Sequence, residues 1–600
     1  MTPVLWLAPG ESAPSAWTGP VLRADIRGHI FGREGEDPVI ATEHVWVRRR
    51  ELGCEVVAGF FGRLSDPKPR KGLMGRFSGA AREEGEVLAP YREGLEGALA
   101  QRAAGWAFPD VVARELMDPD TPVAVLAGGD LARLARPWLQ DRAGSVELSA
   151  DGASTPIQAP QVRAPRPLGR AAAKHLLGIV RDPLIPEEIL PEGVLVAITS
   201  LSHGTQSVTL APVVRALRET EPVLLLNTAP AALPDMPDHI RMDSVTLPPP
   251  QMKLVAADTL RLWASPPVAD GTPPVRPGLQ RLLMRVLQID LPRLVALDAV
   301  LARAAENSQA FGSAPHLIGT TDSTFTSDFL RRRAPHHGVR RTVVQNAFVS
   351  GSARYTKPET DRLLTIDAWS SDVIASEFGV DPATMEVVGS ARYAHLPALR
   401  GTTPEGPHGK AEWLARHGFS EDAHLFAFAA QPSAHSGGAL AFLEAMEREF
   451  GTDTTAAFAI RLHPKEFPDV VEAIKAKLAD TPLQAALDRR PIEPFLLSAD
   501  AVVTEFSNVG LEAGILRKPL LILKLPGSPA FPPLDKFAIG RTVESYTDAA
   551  SALRDLMEKG AEAAGFPDTA DEFAEANPGL YRGDTVDAIL RSIARDRDGS

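Results

Sequence analysis

The chain has 600 residues. At about 150 residues per domain that is too long for one core, so roughly four domains or fewer are expected. Hydrophobic residues make up 44% and charged residues 23%, a balance that excludes wholesale disorder. Lys+Arg is 63 against Asp+Glu 76, a formal net charge of -13. That argues against non-specific nucleic-acid binding, which needs a strong positive footprint. The one cysteine, Cys54, excludes an intrachain disulfide framework and a thiolate zinc cluster, and suits a reducing compartment.

The opening MTPVLWLAPGES lacks the basic region of a secretory signal, and no apolar run approaches the roughly 20 residues needed to span a bilayer. The expectation is a cytoplasmic protein whose membrane contact, if any, is peripheral, at the inner face.

Short apolar runs alternate with helical patterns, a rhythm that predicts βα units and parallel sheets. Residues 1–165 read as a small α/β domain of unassigned role. Its runs of strand length are PVLWLA, VIATEHVWV (39–47), CEVVAGFF (54–61) and TPVAVLAGG (121–129), the last followed by a helical DLARLARPWL. The Pro- and Ala-rich stretch 155–170 reads as a linker.

Residues 190–400 form a second block. A strand from Val194 to Thr199 leads through a Gly-containing loop into a helix, and PVLLLN (222–227) is the next strand. The proline-rich 230–277 reads as insertions over a cleft. PHLIGTT (315–321), RTVVQNA (341–347), RLLTID (362–367) and MEVVGS (385–390) are further strands.

The third block, 401–545, repeats the pattern with strands LFAFAAQ (425–431), FAIRLHP (458–464), ADAVVTEFS (499–507) and PLLILKLP (519–526). Residues 546–600 read as helices that pack back across the cleft. The expected class is α/β, with two tandem doubly wound sheets facing a cleft and an additional N-terminal α/β domain.

Open parallel sheets bind ligands at the carboxyl ends of their strands. In the third block that edge carries Glu505, Ser507 and Asn508, with a helix beginning at about Val509. Ser or Asn there caps the helix, and the same free N–H groups favour a phosphate. Glu512, one turn in, has the reach of a ribose-diol acceptor; a solvated Glu behind an ordinary cap is the alternative. Arg461, His463 and Lys465 alternate at a strand end, where three cations suit a diphosphate or an acidic sugar. Pairing with Glu466 and Asp469 is the alternative there.

In the second block, His203, Gly204, Thr205 and Gln206 follow the first strand, where Gly204 lets backbone approach a substrate or simply makes a βα turn. Asp322, just past PHLIGTT, is a candidate general base or a helix cap. Gln345 and Asn346 end RTVVQNA, where they can bond a sugar or orient a helix. The His336-His337 pair has no partner ligands at metal-binding spacing, and no metal site is expected. There is no G-x-x-x-x-G-K-[ST] loop and no G-x-S-x-G elbow, which disfavours a P-loop kinase and an α/β-hydrolase.

From 193 to about 545 these motifs resemble a GT-B glycosyltransferase, the two-Rossmann architecture shared with non-hydrolysing sugar-nucleotide epimerases. SHGTQSVTLAPVVRAL resembles the opening loop and helix of that group. RTVVQNA, DRLLTIDAWSSDVIASEFG and MEVVGSARY resemble the acceptor half of capsule and surface-polysaccharide transferases. IRLHPKE and SADAVVTEFSNVGLEAGILRKPLLIL resemble their donor half, and the HP dipeptide is similar to that of sialyl-, Kdo- and polyol-phosphate transferases. Polyol-phosphate transferases usually carry His-Gly where this chain has Asn346-Ala347.

The resemblance implies transfer of a sugar from a UDP- or CMP-linked donor to a glycan or lipid-linked acceptor, with no obligatory cofactor. It implies that His463 and Lys465 contact the donor phosphate, that Ser507 and Asn508 bind phosphate at the helix start, and that Glu512 holds the ribose. If the reaction inverts, a base must take the acceptor proton, with Asp322 the first choice and His203 the second; a retaining reaction requires no such base. A sugar-nucleotide 2-epimerase and a non-catalytic assembly protein on the same fold are the alternatives.

Overall fold

The computed structural model describes residues 3–7, 13–25, 30–33, 47–52, 54–58, 89–102, 107, 111, 121–127, 135, 138–139, 144–149, 152–157, 196–199, 204–220, 223–227, 240–241, 277–310, 315–321, 325–346, 348, 359–431, 438–463, 466, 468–505, 507–525, 534–537, 539–566 and 583–598. These residues build an α/β protein with three separate sheets.

The first sheet holds β1 (Val4–Leu7), β2 (Val21–Asp25), β3 (Ile30–Arg33), β4 (Val123–Leu126), β5 (Val146–Leu148) and β6 (Ser154–Pro156). Its order is β3-β2-β1-β4-β5-β6, with β3 and β6 antiparallel at the edges. Trp6 and Trp138 stack in its core with ring centroids 5.6 Å apart. Ser154–Pro156 lies in the stretch expected as linker and closes this sheet instead, while 158–170 falls outside the described residues.

The run CEVVAGFF does not form a strand where it is described: residues 54–58 are helical, as are 47–52. A short apolar run does not distinguish strand from buried helix. Here the charges decide, because Arg48 bonds Glu51 at 2.9 Å and Glu55 at 2.8 Å, a spacing that gathers side chains on one helical face.

The second sheet holds β7 (Val196–Thr199), β8 (Val223–Asn227), β9 (Ile240–Arg241), β10 (His316–Thr320), β11 (Arg340–Val344), β12 (Arg362–Thr365) and β13 (Met385–Val387). All its pairings are parallel, in the order β13-β12-β11-β10-β7-β8-β9. A 34-residue helix, Pro277–Ala310, follows the proline-rich region and was not foreseen from the sequence. The 92–102 helix packs on it: Tyr91 Oη donates to Asp298 at 3.3 Å, and a side chain at Gly94 would strike Leu294 at 2.7 Å.

The third sheet holds β14 (His424–Ala429), β15 (Ala456–Arg461), β16 (Gln484–Leu487), β17 (Ala501–Thr504), β18 (Leu520–Leu523) and β19 (Arg541–Val543). It is wholly parallel, in the order β16-β15-β14-β17-β18-β19. Its strands alternate between two cores, as a period of two requires. Phe426 and Phe428 face one, with Phe442 and Phe458; Leu425, Ala427 and Ala429 face the other. Both faces are buried, which explains why these strands read as continuous apolar runs.

The final helix, Thr585–Asp598, returns to the second sheet, where Ile589 and Ile593 pack with Leu210, Val213, Val214 and Leu217. In the second and third sheets the first strand lies beside the fourth, so the strand order reverses between β7 and β10 and between β14 and β17. Loops diverge at such a reversal and leave room for a ligand at the carboxyl edge.

Candidate functional site at the carboxyl edge of the third sheet

The strand register fixes which loops meet. Ala429 pairs with Arg461 on one side and with Thr504 on the other, so β14, β15 and β17 end level. The loops carrying His463 and Ser507 therefore leave the same edge two strands apart, about 10 Å at the usual strand spacing.

Ser507 caps the Asn508–Ile515 helix in extended backbone, and its Oγ accepts from Val509 N at 3.3 Å. Asn508 is half-buried at the first helical position. The helix sits close to the sheet because position 510 is glycine: a Cβ there would meet Leu534 Cδ1 at 2.5 Å and Thr504 Cγ2 at 3.2 Å. Thr504 Oγ1 in turn donates to Ala429 O at 3.0 Å, tying β17 to β14 at the edge.

Glu505 is 1% exposed, and its Oε1 accepts from Tyr546 Oη at 3.1 Å. Glu512 is 4% exposed. Its Oε1 accepts from Arg392 Nη2 at 2.8 Å, and its Oε2 has no hydrogen-bond partner among the described residues. Burial pushes the Glu512 carboxyl above its ordinary range, with the Arg392 guanidinium opposing that shift. Beside it, His395 and Glu493 pair at 3.3 Å; their hydrogen bond raises the imidazole and lowers the carboxyl.

Arg461 turns toward the 490–495 segment, donating to the Arg490 carbonyl with its guanidinium 5.7 Å above the Phe495 ring. His463 is half-buried, and Glu466 N donates to His463 O at 2.9 Å across the turn. Lys465 lies outside the described residues.

On the second sheet, His203 and Asp322 also lie outside the described residues, between elements that are described. Their loops follow β7 and β10, the adjacent strands at the reversal. Gly204, Thr205 and Gln206 begin the Gly204–Arg218 helix, and their side chains are outside the described set. Gln345 and Asn346 are buried staples between strand ends: Gln345 Oε1 accepts from Ile366 N at 2.9 Å, and Asn346 Oδ1 accepts from Thr321 Oγ1 at 2.7 Å.

The two sheets touch on one flank. Phe348, Trp369 and Phe537 form an aromatic triad with centroids 5.6–6.2 Å apart, joining the ends of β11 and β12 to the segment before β19. Tyr393 and Leu396, past β13, are buried in the same core as Leu511 and Leu534.

Sequence reasoning missed Arg392, Tyr393, His395, Glu493 and Tyr546. The segment VVGSARYAHL was visible as a strand exit, but nothing local couples Arg392 to a residue 120 positions on. Among the described residues, no group of three or more His, Cys, Asp or Glu is placed to hold a metal, and no helix is long and apolar enough to cross a membrane.

No protein-family model matches the chain, and no curated protein matches it. Among solved structures, the chain is similar to a protein of Listeria monocytogenes described as a UDP-N-acetylglucosamine 2-epimerase, at 17% identity and a TM-score of 0.45, covering 67% of this chain and 96% of that one. It is similar to a UDP-GlcNAc 2-epimerase from Neisseria meningitidis bound to UDP-GlcNAc, at 14% identity and a TM-score of 0.42, over 67% and 100% of the two chains. It is also similar to the wall teichoic acid polymerase TagF, at 12% identity and a TM-score of 0.40, over 71% and 97%. Likenesses this distant leave the chemistry of this chain to be argued from its own geometry.

Proposed function

We propose that this chain is a GT-B-type glycosyltransferase, two Rossmann-like lobes with an N-terminal α/β domain, that moves a sugar from a nucleotide-activated donor to a glycan or lipid-linked acceptor. The observation that carries this reading is the level carboxyl edge of β14, β15 and β17. The His463 loop and the Ser507-capped helix leave that edge two strands apart, and Glu512 is buried one turn into the helix.

In this reading the helix N-terminus and Asn508 take the donor phosphates, and Glu512 takes the ribose hydroxyls. The acceptor hydroxyl oxygen attacks the anomeric carbon, and the bond from that carbon to the phosphate oxygen breaks. The acceptor proton passes to Asp322 or His203, a transfer worth about 10²- to 10⁴-fold. The nucleotide leaves with its new charge stabilised by His463, Lys465 and the helix start, as donors aimed at a developing charge do. Arg461 is engaged with the 490–495 segment through the Arg490 carbonyl and the Phe495 ring.

The test is calorimetric titration of the full chain with UDP, CDP, GDP and CMP, followed by product analysis with the matching nucleotide sugars. Binding of one nucleotide, and acceptor-dependent release of it, is expected. An epimerised donor formed without acceptor would replace transfer by a 2-epimerase reaction on the same site. No binding at millimolar concentration by any of the four would remove the donor site.

A further inference from the structure

One ion pair joins the segment leaving β13 to the helix that carries the candidate donor site. Arg392 Nη2 donates to Glu512 Oε1 at 2.8 Å, and eight residues on Arg400 Nε donates to Ile515 O at 2.8 Å. The 392–400 segment thus holds the helix by a side chain and by its last carbonyl. It is also the covalent connection between the second and third sheets.

Glu512 is left with one oxygen engaged and one unspent. Its Oε2 is buried with no hydrogen-bond partner among the described residues, in a residue 4% exposed. Buried acceptors without partners are few in native proteins, and each calls for a water, a ligand or strain. Among the described residues, the charged and titratable groups facing this carboxyl are Arg392, Tyr393 and His395 from the connecting segment and Glu493 from the 492–498 helix. Arg392 is the cation bonded to it. Tyr393 is buried beneath the Arg392 guanidinium, which lies 5.3 Å from its ring.

We propose that Arg392 is a positioning residue for nucleotide recognition: it fixes Glu512 through Oε1 so that Oε2 accepts from a ribose hydroxyl of the donor. The inference rests on the nucleotide-donor reading above and adds to it a residue on the interlobe connection. Ribose contact and the placement of that connection then become one coupled equilibrium, because the guanidinium that orients Glu512 moves with the segment.

The test compares UDP, CDP, GDP and CMP with their 2'-deoxy counterparts by calorimetry on the full chain, across pH 6 to 8.5. The wild-type chain should prefer the ribonucleotide by about tenfold or more, the worth of a hydrogen bond to a charged acceptor. Arg392→Met should lose that preference, with affinity for the deoxynucleotide kept within about twofold. Its preference should recover as pH rises, because without the guanidinium the buried carboxyl ionises only at higher pH. Arg392→Lys should keep part of the preference throughout, and Glu512→Gln should lose it at every pH. Equal loss of both nucleotides in Arg392→Met, or a preference unchanged from the wild type across the whole pH range, overturns the positioning role. If Arg392→Met does not fold, the Lys and Gln variants decide by the same comparison. Failure of the wild-type chain to bind any of these nucleotides overturns the donor reading itself, an outcome the wild-type arm reports separately.

Discussion

Arg362, at the first position of β12, bonds Asp596 near the end of the chain through Nε at 3.0 Å and Nη2 at 2.7 Å. Residues separated by 234 positions are thereby joined on the second sheet, after the chain has passed through the whole of the third. Ser592 and Arg595 add bonds to Glu386 on the neighbouring strand β13. Behind this polar rim, Ile589 is 0% and Ile593 1% exposed.

The apolar contact should outweigh the ion pair. Ile593→Ala removes buried side-chain volume and should cost about 2–4 kcal/mol. Asp596→Ala removes a partly exposed pair and should cost about 1 kcal/mol or less. Urea unfolding of the full chain would check the ranking, and an unchanged midpoint in Ile593→Ala would show that the final helix does not support the sheet.

Asp298 should make the junction between the 92–102 helix and the second sheet acid-sensitive. It accepts from Arg333 at 2.8 and 3.0 Å, from His337 at 2.8 Å and from Tyr91 at 3.3 Å. Burial alone would raise its carboxyl, but the bonds from His337 and Arg333 more than offset that and hold it below the ordinary range. A lowered folded-state value means the stabilisation is present above the unfolded value and is lost as pH falls through the folded one. Asp298→Asn should therefore cost about 3–5 kcal/mol at neutral pH, by stranding Arg333, and its deficit against the wild type should shrink in acid. Tyr91→Phe should cost about 1 kcal/mol. Melting curves from pH 7 to 3 that stay parallel would contradict this assignment.

How far the sequence could be read follows from the kind of pattern each element leaves. The strands β14, β15, β17 and β18 are buried on both faces, so LFAFA, FAIR, AVVT and LLIL stand out as apolar runs between turn residues. A parallel sheet puts every such run's carboxyl end on one edge, which is why the sequence singles out Ser507, Glu512 and His463 as candidates there. The short strands β5, β9 and β19 were missed, and the 277–310 helix was hidden behind prolines that drew attention to the loop before it. The pairing of Arg392 with Glu512 leaves no local trace, because it is made by tertiary packing between a strand exit and a distant helix. Gln345 and Asn346 show the converse limit: the sequence leaves open whether such strand-end amides bond a sugar or hold structure, and only the fold shows their oxygens accepting from Ile366 N and Thr321 Oγ1.

His463 should matter to activity and little to stability. It is half-buried at the end of β15, beyond the strand's paired residues. His463→Ala should reduce sugar transfer at least 100-fold, about 2.7 kcal/mol of transition-state stabilisation, while shifting Tm by no more than about 1–2 °C. Initial rates with a saturating nucleotide sugar and a melting curve on the same preparation would measure both. Full activity in that variant would remove the histidine from the mechanism.

Ser507 separates a plain helix cap from an anion site, because two substitutions change the roles independently. Ser507→Ala removes the oxygen that accepts from Val509 N and should cost about 1 kcal/mol of stability. Ser507→Asp keeps a capping oxygen and sets a carboxylate against the positive end of the helix, so stability should hold or rise slightly. If the helix start also receives phosphate, that carboxylate repels it, and nucleotide affinity in Ser507→Asp should fall about tenfold or more although the fold is intact. A simple cap predicts the opposite ordering, with Asp harmless by every measure and Ala the worse variant throughout. Thermal unfolding and nucleotide titration of the two variants in parallel decide between these roles, and normal nucleotide binding by Ser507→Asp would leave Ser507 as a cap alone.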